Sequence, residues 1–176
     1  MEKLIFNCPG LKENGMFALK HTGRGDDVSP AFEFENLSPD AKTIAIMLED
    51  LDVKIPFMGT LAHWLVWNIP ATPIIPQAMA HGKTLADGST QGICYGKHKY
   101  AGPRPPYGKQ HHYKFTVYAL NAKINLQPNT KKKQFLQTIA PHIIQQGELT
   151  EAFLHVRKTK NQPQLSSGTP CSGSGM

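Results

Sequence analysis

Acidic, histidine and tyrosine side chains are concentrated in two segments of the chain, residues 48–70 and residues 101–120. They are Asp50, Asp52 and His63 in the first segment and His111 and Tyr113 in the second. Side chains of these types exchange protons and form hydrogen bonds, so they suit the binding of a small polar ligand or acid–base chemistry. If both segments meet at one end of a sheet, the sequence predicts a small polar pocket there.

The phase of the strands favours this convergence, because alternate side chains of a strand share a face. In three predicted strands, alternate apolar residues share the phase of the candidate polar residues. Ile44, Ile46 and Leu48 are in phase with Asp50 and Asp52; Leu65, Trp67 and Ile69 are in phase with His63; Phe115 and Val117 are in phase with His111 and Tyr113. We therefore expect three strands to point polar groups toward a side that they otherwise fill with hydrocarbon. Buried polar groups without partners are costly, so such groups bond one another or bind a ligand.

Both segments resemble signature motifs of the phosphatidylethanolamine-binding protein family, most closely its shorter bacterial and archaeal branch, often described as Raf kinase inhibitor-like. Asp50-Leu51-Asp52 followed by Pro56 is similar to the family's Asp-Pro-Asp-x-Pro element. The run 102–106, followed by His111-His112-Tyr113-Lys114-Phe115, is similar to its Gly-Pro-rich loop and His-Arg-Tyr-x-Phe signature. Residues 25–30 match an opening that usually reads Gly-x-Asn-x-Ser-Pro. The resemblance spans residues 10–158.

The chain departs from the family pattern at four points. Leu51 replaces a proline, and two extra residues separate Asp52 from Pro56. Arg104 stands where many bacterial members carry cysteine, which would bring a cation to the mouth of the pocket. His112 replaces an arginine, and its strand phase points it away from the pocket.

The resemblance implies a mainly β fold, a Greek-key β-sandwich with a C-terminal α-helix and a small anion-binding pocket at one end. It implies a non-catalytic binding protein, without cofactor or metal, whose partners are phosphate or phosphorylethanolamine-like head groups and a protein such as a kinase. The expected ligand-binding residues are Asp50, Asp52, His63, Gly102, Pro103, Pro105, His111 and Tyr113, with Pro56 and Arg104 at the rim. We also expect His63 to hydrogen-bond one of the aspartates, which would raise its basicity.

The same cluster has other interpretations. Asp50 and Asp52 suit the end of a strand, where aspartate caps turns. A hydrolase or a divalent-metal enzyme could use the same Asp, His and Tyr groups, although the sequence lacks a G-x-S-x-G or H-E-x-x-H motif. A scaffold or inhibitor that acts through its protein surface is a third possibility.

The length and composition predict a single domain over residues 1–160 and a disordered tail, rich in Ser, Gly and Pro, over residues 161–176. Short alternating runs separated by turn residues suggest a β-sandwich. We expect strands at residues 15–20, 31–35, 42–49, 62–69, 92–95, 111–120 and 151–157.

An amphipathic helix is predicted from residue 130 to residue 146, because Phe135, Ile139 and Ile143 recur every four residues. Asn129 or Thr130 would cap its start, Pro141 would kink or divide it, and Gly147 would end it.

The charge balance is 19 basic against 13 acidic residues, a formal net charge of +6. No nucleic-acid motif accompanies this charge, so we expect a solvated lysine-rich surface and no specific nucleic-acid partner. No run approaches the ~20 apolar residues of a membrane-spanning helix, and we expect a cytoplasmic protein without a transmembrane segment. The three cysteines Cys8, Cys94 and Cys171 are expected to be reduced thiols. The chain is compatible with a monomer or a homodimer.

Overall fold

The computed structural model describes residues 2–57 and 59–156, so the predicted disordered tail and the end of the predicted domain lie outside the described residues. The elements in chain order are β1 (Glu2–Lys3), β2 (Phe6–Asn7), β3 (Lys12–Glu13), β4 (Met16–Phe17), β5 (Phe32–Phe34), β6 (Thr43–Ile55), β7 (Gly59–Pro70), β8 (Ile74–Ile75), β9 (Thr90–Gln91), β10 (Gln110–Leu120), α1 (Lys132–Ile139) and β11 (Ile143–Leu154). Short 3-10 helices lie at Leu19–His21 and Ala140–His142.

The strands form three sheets. The largest has the order β1-β11-β10-β6-β7-β9. Its long strands β11, β10, β6 and β7 pair antiparallel with one another, and the short edge strand β1 pairs parallel with β11. Two smaller sheets have the orders β2-β5-β8 and β3-β4. The prediction of a mainly β fold of the sandwich type with a helix near its C-terminal end is confirmed.

Hydrophobic cores cover both faces of the six-stranded sheet. On one face, Ile44, Ile46 and Leu48 of β6 pack in a cluster with residues of the smaller sheets, such as Phe32 and Phe17. On the other face, alternate residues of the same strand join a second cluster with the buried side of α1: Ala45, Met47, Phe135 and Ile139. Because both faces are covered, β6 is buried without interruption from Thr43 to Asp50.

The predicted helix is shorter than the sequence suggested. It ends at Ile139, and Pro141 lies in the 3-10 helix that follows, so the predicted division at this proline is confirmed. Its N-cap is Lys131, without a side-chain cap, which corrects the prediction of Asn129 or Thr130.

Residues 143–146 belong to β11, where the apolar period of four is overridden by pairing with β10 and β1. The prediction that Gly147 ends the helix is therefore wrong. Gly147 lies within β11, where a Cβ would approach the carbonyl oxygen of Leu4 to 2.3 Å, so the strand accepts only glycine at this contact.

The strand predicted at residues 92–95 is also wrong. Strand β9 lies just before it, and Tyr95 and Gly96 instead form a two-residue turn with φ of 50° and 71°. Cys94 and Lys97 exchange both backbone hydrogen bonds across this turn, at 3.0 and 2.9 Å. Positive φ at both central positions is typical of a type I′ hairpin turn. This turn brings the ring of Tyr95 to 5.0 Å from the ring of His63 in β7.

Within the described residues, no helix is long and apolar enough to cross a membrane.

Candidate functional site

An ion-pair geometry joins Asp50 to His111 at the end of the six-stranded sheet. Strands β6 and β10 pair Asp50 with Tyr113, which brings the ends of both strands together. The Nδ1 atom of His111 donates to Oδ2 of Asp50 over 2.7 Å. Oδ1 of the same carboxylate accepts the backbone N–H groups of Asp52 and Val53 at 2.9 and 3.2 Å. Both oxygens of this buried carboxylate therefore already have donors within the protein.

His63 reaches the same region through a β-bulge. Leu48 pairs with Trp64 and the next residue of β6, Glu49, pairs with Ala62, which leaves His63 without a partner on β6. A bulge re-aims the extra side chain relative to regular alternation. The ring of His63 consequently lies 5.2 Å from the ring of Tyr113, at an interplanar angle of 81°.

The two nitrogens of His63 have different partners. Nδ1 lies 2.9 Å from the carbonyl oxygen of Ala101, which can only accept, so Nδ1 carries a hydrogen. Nε2 lies 2.9 Å from the hydroxyl of Tyr95. Burial lowers the pKa of His63, an effect that the Ala101 hydrogen bond and the charge of Asp50 partly offset. In the neutral imidazole, Nε2 therefore accepts the Tyr95 hydroxyl proton. The expected hydrogen bond between His63 and an aspartate is not formed, and the expected rise in basicity is wrong.

Tyr113 lies behind His63 and is 1% exposed. Its ring also stacks at 6.4 Å on His111. Burial first, and the nearby charge of Asp50 second, raise the pKa of this phenol well above its ordinary value. The hydroxyl makes no hydrogen bond of good geometry among the described residues. The Asp50 carboxylate and the backbone of Arg104 are the polar neighbours of this buried hydroxyl.

The Gly-Pro loop forms a wall of the site. The N–H of Gly102 donates to Oδ1 of Asp27 over 2.7 Å. A Cβ at this glycine would lie 2.2 Å from the carbonyl oxygen of His21, so the close backbone approach requires glycine. Pro103 and Pro105 are buried, and their carbonyl oxygens accept from the N–H of Gly23 and the guanidinium of Arg24. The loop is held by these contacts in front of His63.

A cavity of about 290 Å³ lies at this wall. It is lined by Gly23, Asp27, His63, Tyr95, Lys97, Lys99, Ala101, Gly102 and Arg104. A second cavity, of about 510 Å³, is mainly apolar and has Asp87 as its one ionisable lining residue. The smaller cavity is the candidate site, because the buried histidine and the charged groups converge there.

Charges of both signs line the candidate cavity, with cations in excess. Lys97, Lys99 and Arg104 contribute three cations, and Asp27 contributes one carboxylate. Lys99 Nζ lies 2.8 Å from Oδ2 of Asp27. The lining therefore has a formal net charge of +2 when His63 is neutral, which attracts anions.

Tyr95 lines this cavity beside His63 and is 57% exposed. Its ring lies 5.0 Å from the ring of His63 at an interplanar angle of 72°. Burial, with a smaller contribution from the charge of Asp50, raises the pKa of Tyr95 to about 12, so the hydroxyl stays protonated and donates. The positive φ of this residue is uncommon for a side chain larger than asparagine and adds local strain of order 1 kcal/mol.

The structure brings together most, but not all, of the predicted site residues. His63, Gly102 and Arg104 line the cavity; Asp50, His111 and Tyr113 lie behind His63; Pro103 and Pro105 hold the wall.

Asp52 and Pro56 lie elsewhere, which corrects their predicted place at the pocket. Between Asp50 and Lys54 the register of β6 shifts, so the inserted residues form an irregularity in the β6–β7 hairpin. Asp52 is exposed and bonds the backbone N–H and Nδ1 of His112, at 2.6 and 3.0 Å. That backbone N–H is the main cause of a lowered pKa for Asp52. Pro56 lies in the exposed turn of the hairpin. His112 is half-exposed, as predicted.

Sequence reasoning missed the four polar side chains Asp27, Tyr95, Lys97 and Lys99 of the cavity, and also Gly23 and Ala101. Asp27 occupies the position of asparagine in the Gly-x-Asn-x-Ser-Pro motif, which was a signal that could have identified it. Tyr95 belongs to the stretch that was predicted as a strand over residues 92–95, and Lys97 and Lys99 follow that stretch. Nothing in the local pattern of these three residues pointed to a ligand.

The described part of the chain contains neither a reactive thiolate nor a cluster of metal ligands. Burial raises the pKa of the Cys94 thiol to about 12 and that of Cys8 further still, so neither supplies a thiolate nucleophile near neutral pH. Among residues 2–57 and 59–156, no three His, Cys, Asp or Glu side chains converge as a metal site requires.

Comparison with known proteins extends over most of the chain. Residues 9–153 match the sequence model of a family described as phosphatidylethanolamine-binding protein. A UPF0098 protein of Pyrococcus horikoshii is 36% identical over 160 residues, which cover 86% of this chain and 78% of that protein. A UPF0098 protein of Chlamydia pneumoniae is 34% identical over 137 residues, covering 76% of this chain and 87% of that protein.

Solved structures share the fold. Escherichia coli YbcL, described as a new member of the mammalian PEBP family, aligns with a TM-score of 0.74 at 25% identity and covers 86% of this chain and 98% of its own. The PEBP homologue CT736 of Chlamydia trachomatis aligns with a TM-score of 0.72 at 24% identity, covering 87% and 98%.

Proposed function

The chain belongs to the phosphatidylethanolamine-binding protein family, and on this premise we propose that it is a non-catalytic binding protein that holds a small anion, such as phosphate, in the cavity beside His63. One observation carries the proposal: a buried imidazole faces a cavity whose lining has an excess of cations. Charge-assisted hydrogen bonds to such groups are the strong contacts for phosphate and carboxylate oxygens.

The binding mode follows from the state of His63. Since Nδ1 donates to Ala101 and Nε2 accepts from Tyr95, the neutral ring has no hydrogen to offer an anion. An anion at Nε2 therefore replaces the Tyr95 hydroxyl, and His63 takes up a proton to donate to it. The Asp50 carboxylate, whose charge already favours the imidazolium, supports that protonated form.

Two further expectations from the family resemblance stay predictions. The first is that phosphorylethanolamine-like head groups bind in the same cavity. The second is that the protein surface binds and modulates a kinase or another protein partner. A pull-down with wild-type protein and a pocket variant would test the second.

A hydrolase that uses the same side chains is the alternative. The raised pKa values of Cys94, Tyr95 and Tyr113 leave these groups protonated near neutral pH, which disfavours them as nucleophiles. Turnover of phosphoesters by wild-type protein that disappears in His63→Gln would support the hydrolase against this proposal.

The experiment is a titration of inorganic phosphate into ¹⁵N-labelled protein, followed by amide chemical shifts. The proposal predicts saturable shifts at Tyr95, Lys97, Lys99, Gly102 and Arg104 that are lost in His63→Gln. His142→Gln is a matched control, because His142 lies at the opposite end of β10 from His111 and bonds Asn121. Shifts that survive His63→Gln, or that fall elsewhere, would overturn the proposal.

A further inference from the structure

The polar groups around the cavity also indicate which kind of anion it prefers. Resting on the proposed function above, we propose that the cavity selects small phosphorylated compounds that carry a second negative group, such as a carboxylate, over phosphorylated amines. The chemical class is a bis-anionic phosphomonoester rather than a zwitterionic head group.

The carboxylates near the cavity, which an ammonium group would need as acceptors, are already engaged. Such a ligand end needs carboxylate or carbonyl oxygens with free lone pairs. The carboxylate of Asp50 is occupied by two backbone N–H groups and by His111. It also does not line the cavity. An ammonium group would have to compete with these partners inside the fold.

The carboxylate that does line the cavity, that of Asp27, is likewise engaged. Oδ1 accepts from the N–H of Gly102 at 2.7 Å, and Oδ2 accepts from Lys99 at 2.8 Å. An ammonium ion could reach this carboxylate only beside the Lys99 ammonium, where the two like charges repel.

Two of the cations that line the cavity are available to a second anionic group. Lys97 and Arg104 line the cavity, and within the described part of the chain neither has a carboxylate within 4 Å. The side chain of Arg104 also packs against Gly23, because a Cβ added at Gly23 would lie 3.2 Å from Cδ of Arg104. His63 at the inner end and these two cations on the wall therefore offer separate positions for two anionic groups.

The size of the cavity limits the ligand. A volume of about 290 Å³ lies at the lower end of the range for small-molecule sites, so a two-carbon phosphomonoester fits the scale better than a large phosphorylated molecule.

Three probes with a common phosphate and a two-carbon chain test this proposal: phosphoglycolate, which ends in a carboxylate; ethyl phosphate, which ends in a methyl group; and phosphorylethanolamine, which ends in an ammonium group. Dissociation constants would be measured by calorimetry on the full chain at one ionic strength and at about pH 7. We expect affinity to decrease in that order, with about tenfold between the first and the last, because each charged contact at an exposed wall contributes up to about 1 kcal/mol.

Arg104→Gln should reduce the difference between phosphoglycolate and phosphorylethanolamine to about threefold or less, since one wall cation is lost. Lys42→Gln is the matched control, because it removes one positive charge at the opposite end of β6 and should leave the order and spacing of the three affinities unchanged. Arg104 and Lys42 are both exposed, so both variants are expected to fold.

The outcomes separate the two proposals. If none of the three compounds binds, the proposed function itself fails. If all bind in the cavity but phosphorylethanolamine equals or exceeds phosphoglycolate, the anion site stands and the selection for a second negative group is overturned. An unchanged affinity ratio in Arg104→Gln would also overturn it.

Discussion

The hydroxyl of Tyr95 donates a hydrogen bond to Nε2 of His63 over 2.9 Å, and both residues line the charged cavity. The histidine nitrogen that faces the cavity is therefore occupied by a side chain of the protein itself. Tyr95 is held there by a two-residue turn in which its own φ is 50°. Under the proposed binding mode, an anion at Nε2 displaces this hydroxyl, so the conformation of the turn should affect the affinity for the anion.

Removal of the Tyr95 hydroxyl should strengthen anion binding. Tyr95→Phe keeps the ring against His63 but removes the hydrogen bond, whose net contribution of about 0.5–1.5 kcal/mol opposes the ligand. We expect the dissociation constant for phosphate to fall about twofold to tenfold, measured by calorimetry. Tyr107→Phe, at an exposed tyrosine outside the cavity, is the control. Weaker binding in Tyr95→Phe would show instead that this hydroxyl donates to the ligand.

Binding of an anion should take up a proton at His63. Sulfate is the suitable probe because it does not titrate near neutral pH. Since burial keeps the pKa of His63 below its ordinary value of about 6.5, affinity for sulfate should rise as the pH falls from about 7.5 to 6, by at most about tenfold per pH unit. The groups that face this ring are Tyr95, Tyr113 and the nearby charges of Asp50 and Asp27. In His63→Gln, the pH dependence should disappear; its persistence would place the titrating group elsewhere.

The free energy of unfolding should fall in mild acid. Burial lowers the pKa values of both His21 and His63. The unfolded chain therefore binds these protons first, so stability is complete above about pH 6.5 and is lost as the pH falls toward the folded-state pKa values. Urea unfolding at about pH 7.5 and 5.5 measures the difference, and His21→Gln should reduce it. An equal loss of stability in that variant would contradict the assignment to His21.

Asp50 and Asp52 should differ in their contributions to stability. Asp50→Ala leaves three donors without their acceptor in a buried region, and we expect a loss of about 1–3 kcal/mol. Asp52→Ala removes a largely exposed contact with His112 and should cost less than about 1 kcal/mol. Urea unfolding of the two variants makes the comparison. Equal losses would be inconsistent with the different burial of the two carboxylates.

The alternation of side chains predicted the relative positions of Asp50 and Tyr113, because β6 and β10 pair regularly at these residues. Asp50 lies directly opposite Tyr113, and the apolar residues in phase with both belong to one core cluster. Because β6 and β10 pair without irregularity there, alternation in the sequence carries directly into space.

Strand phase failed at His63. Its apparent partners Leu65 and Trp67 belong to the cluster on the opposite face of the sheet. The bulge at His63 returns its ring to the face of Tyr113, and a bulge depends on the pairing of two strands rather than on a local pattern. The position of His63 beside Tyr113 and the cavity therefore depends on this bulge, which alternation alone did not predict.

The cavity wall was the hardest part to predict. A two-residue hairpin turn is normally signalled by Asn-Gly or Asp-Gly, whereas this turn is Tyr95-Gly96, so the stretch was interpreted as strand. The predicted helix was too long for a related reason. Beyond Pro141 the residues pair with β10 as part of β11, and this pairing overrides the helical period of the sequence. In both cases contacts distant in sequence decided the local conformation.

The most direct test of the anion site is the side-chain ¹⁵N spectrum of His63 during a phosphate titration at about pH 6.5, near the ordinary histidine pKa. The Nε2 resonance should begin at the position of an unprotonated nitrogen and move saturably toward the protonated position as phosphate binds, while Nδ1 stays protonated. An unchanged Nε2 in the presence of bound phosphate would contradict the proposal that this histidine holds the anion.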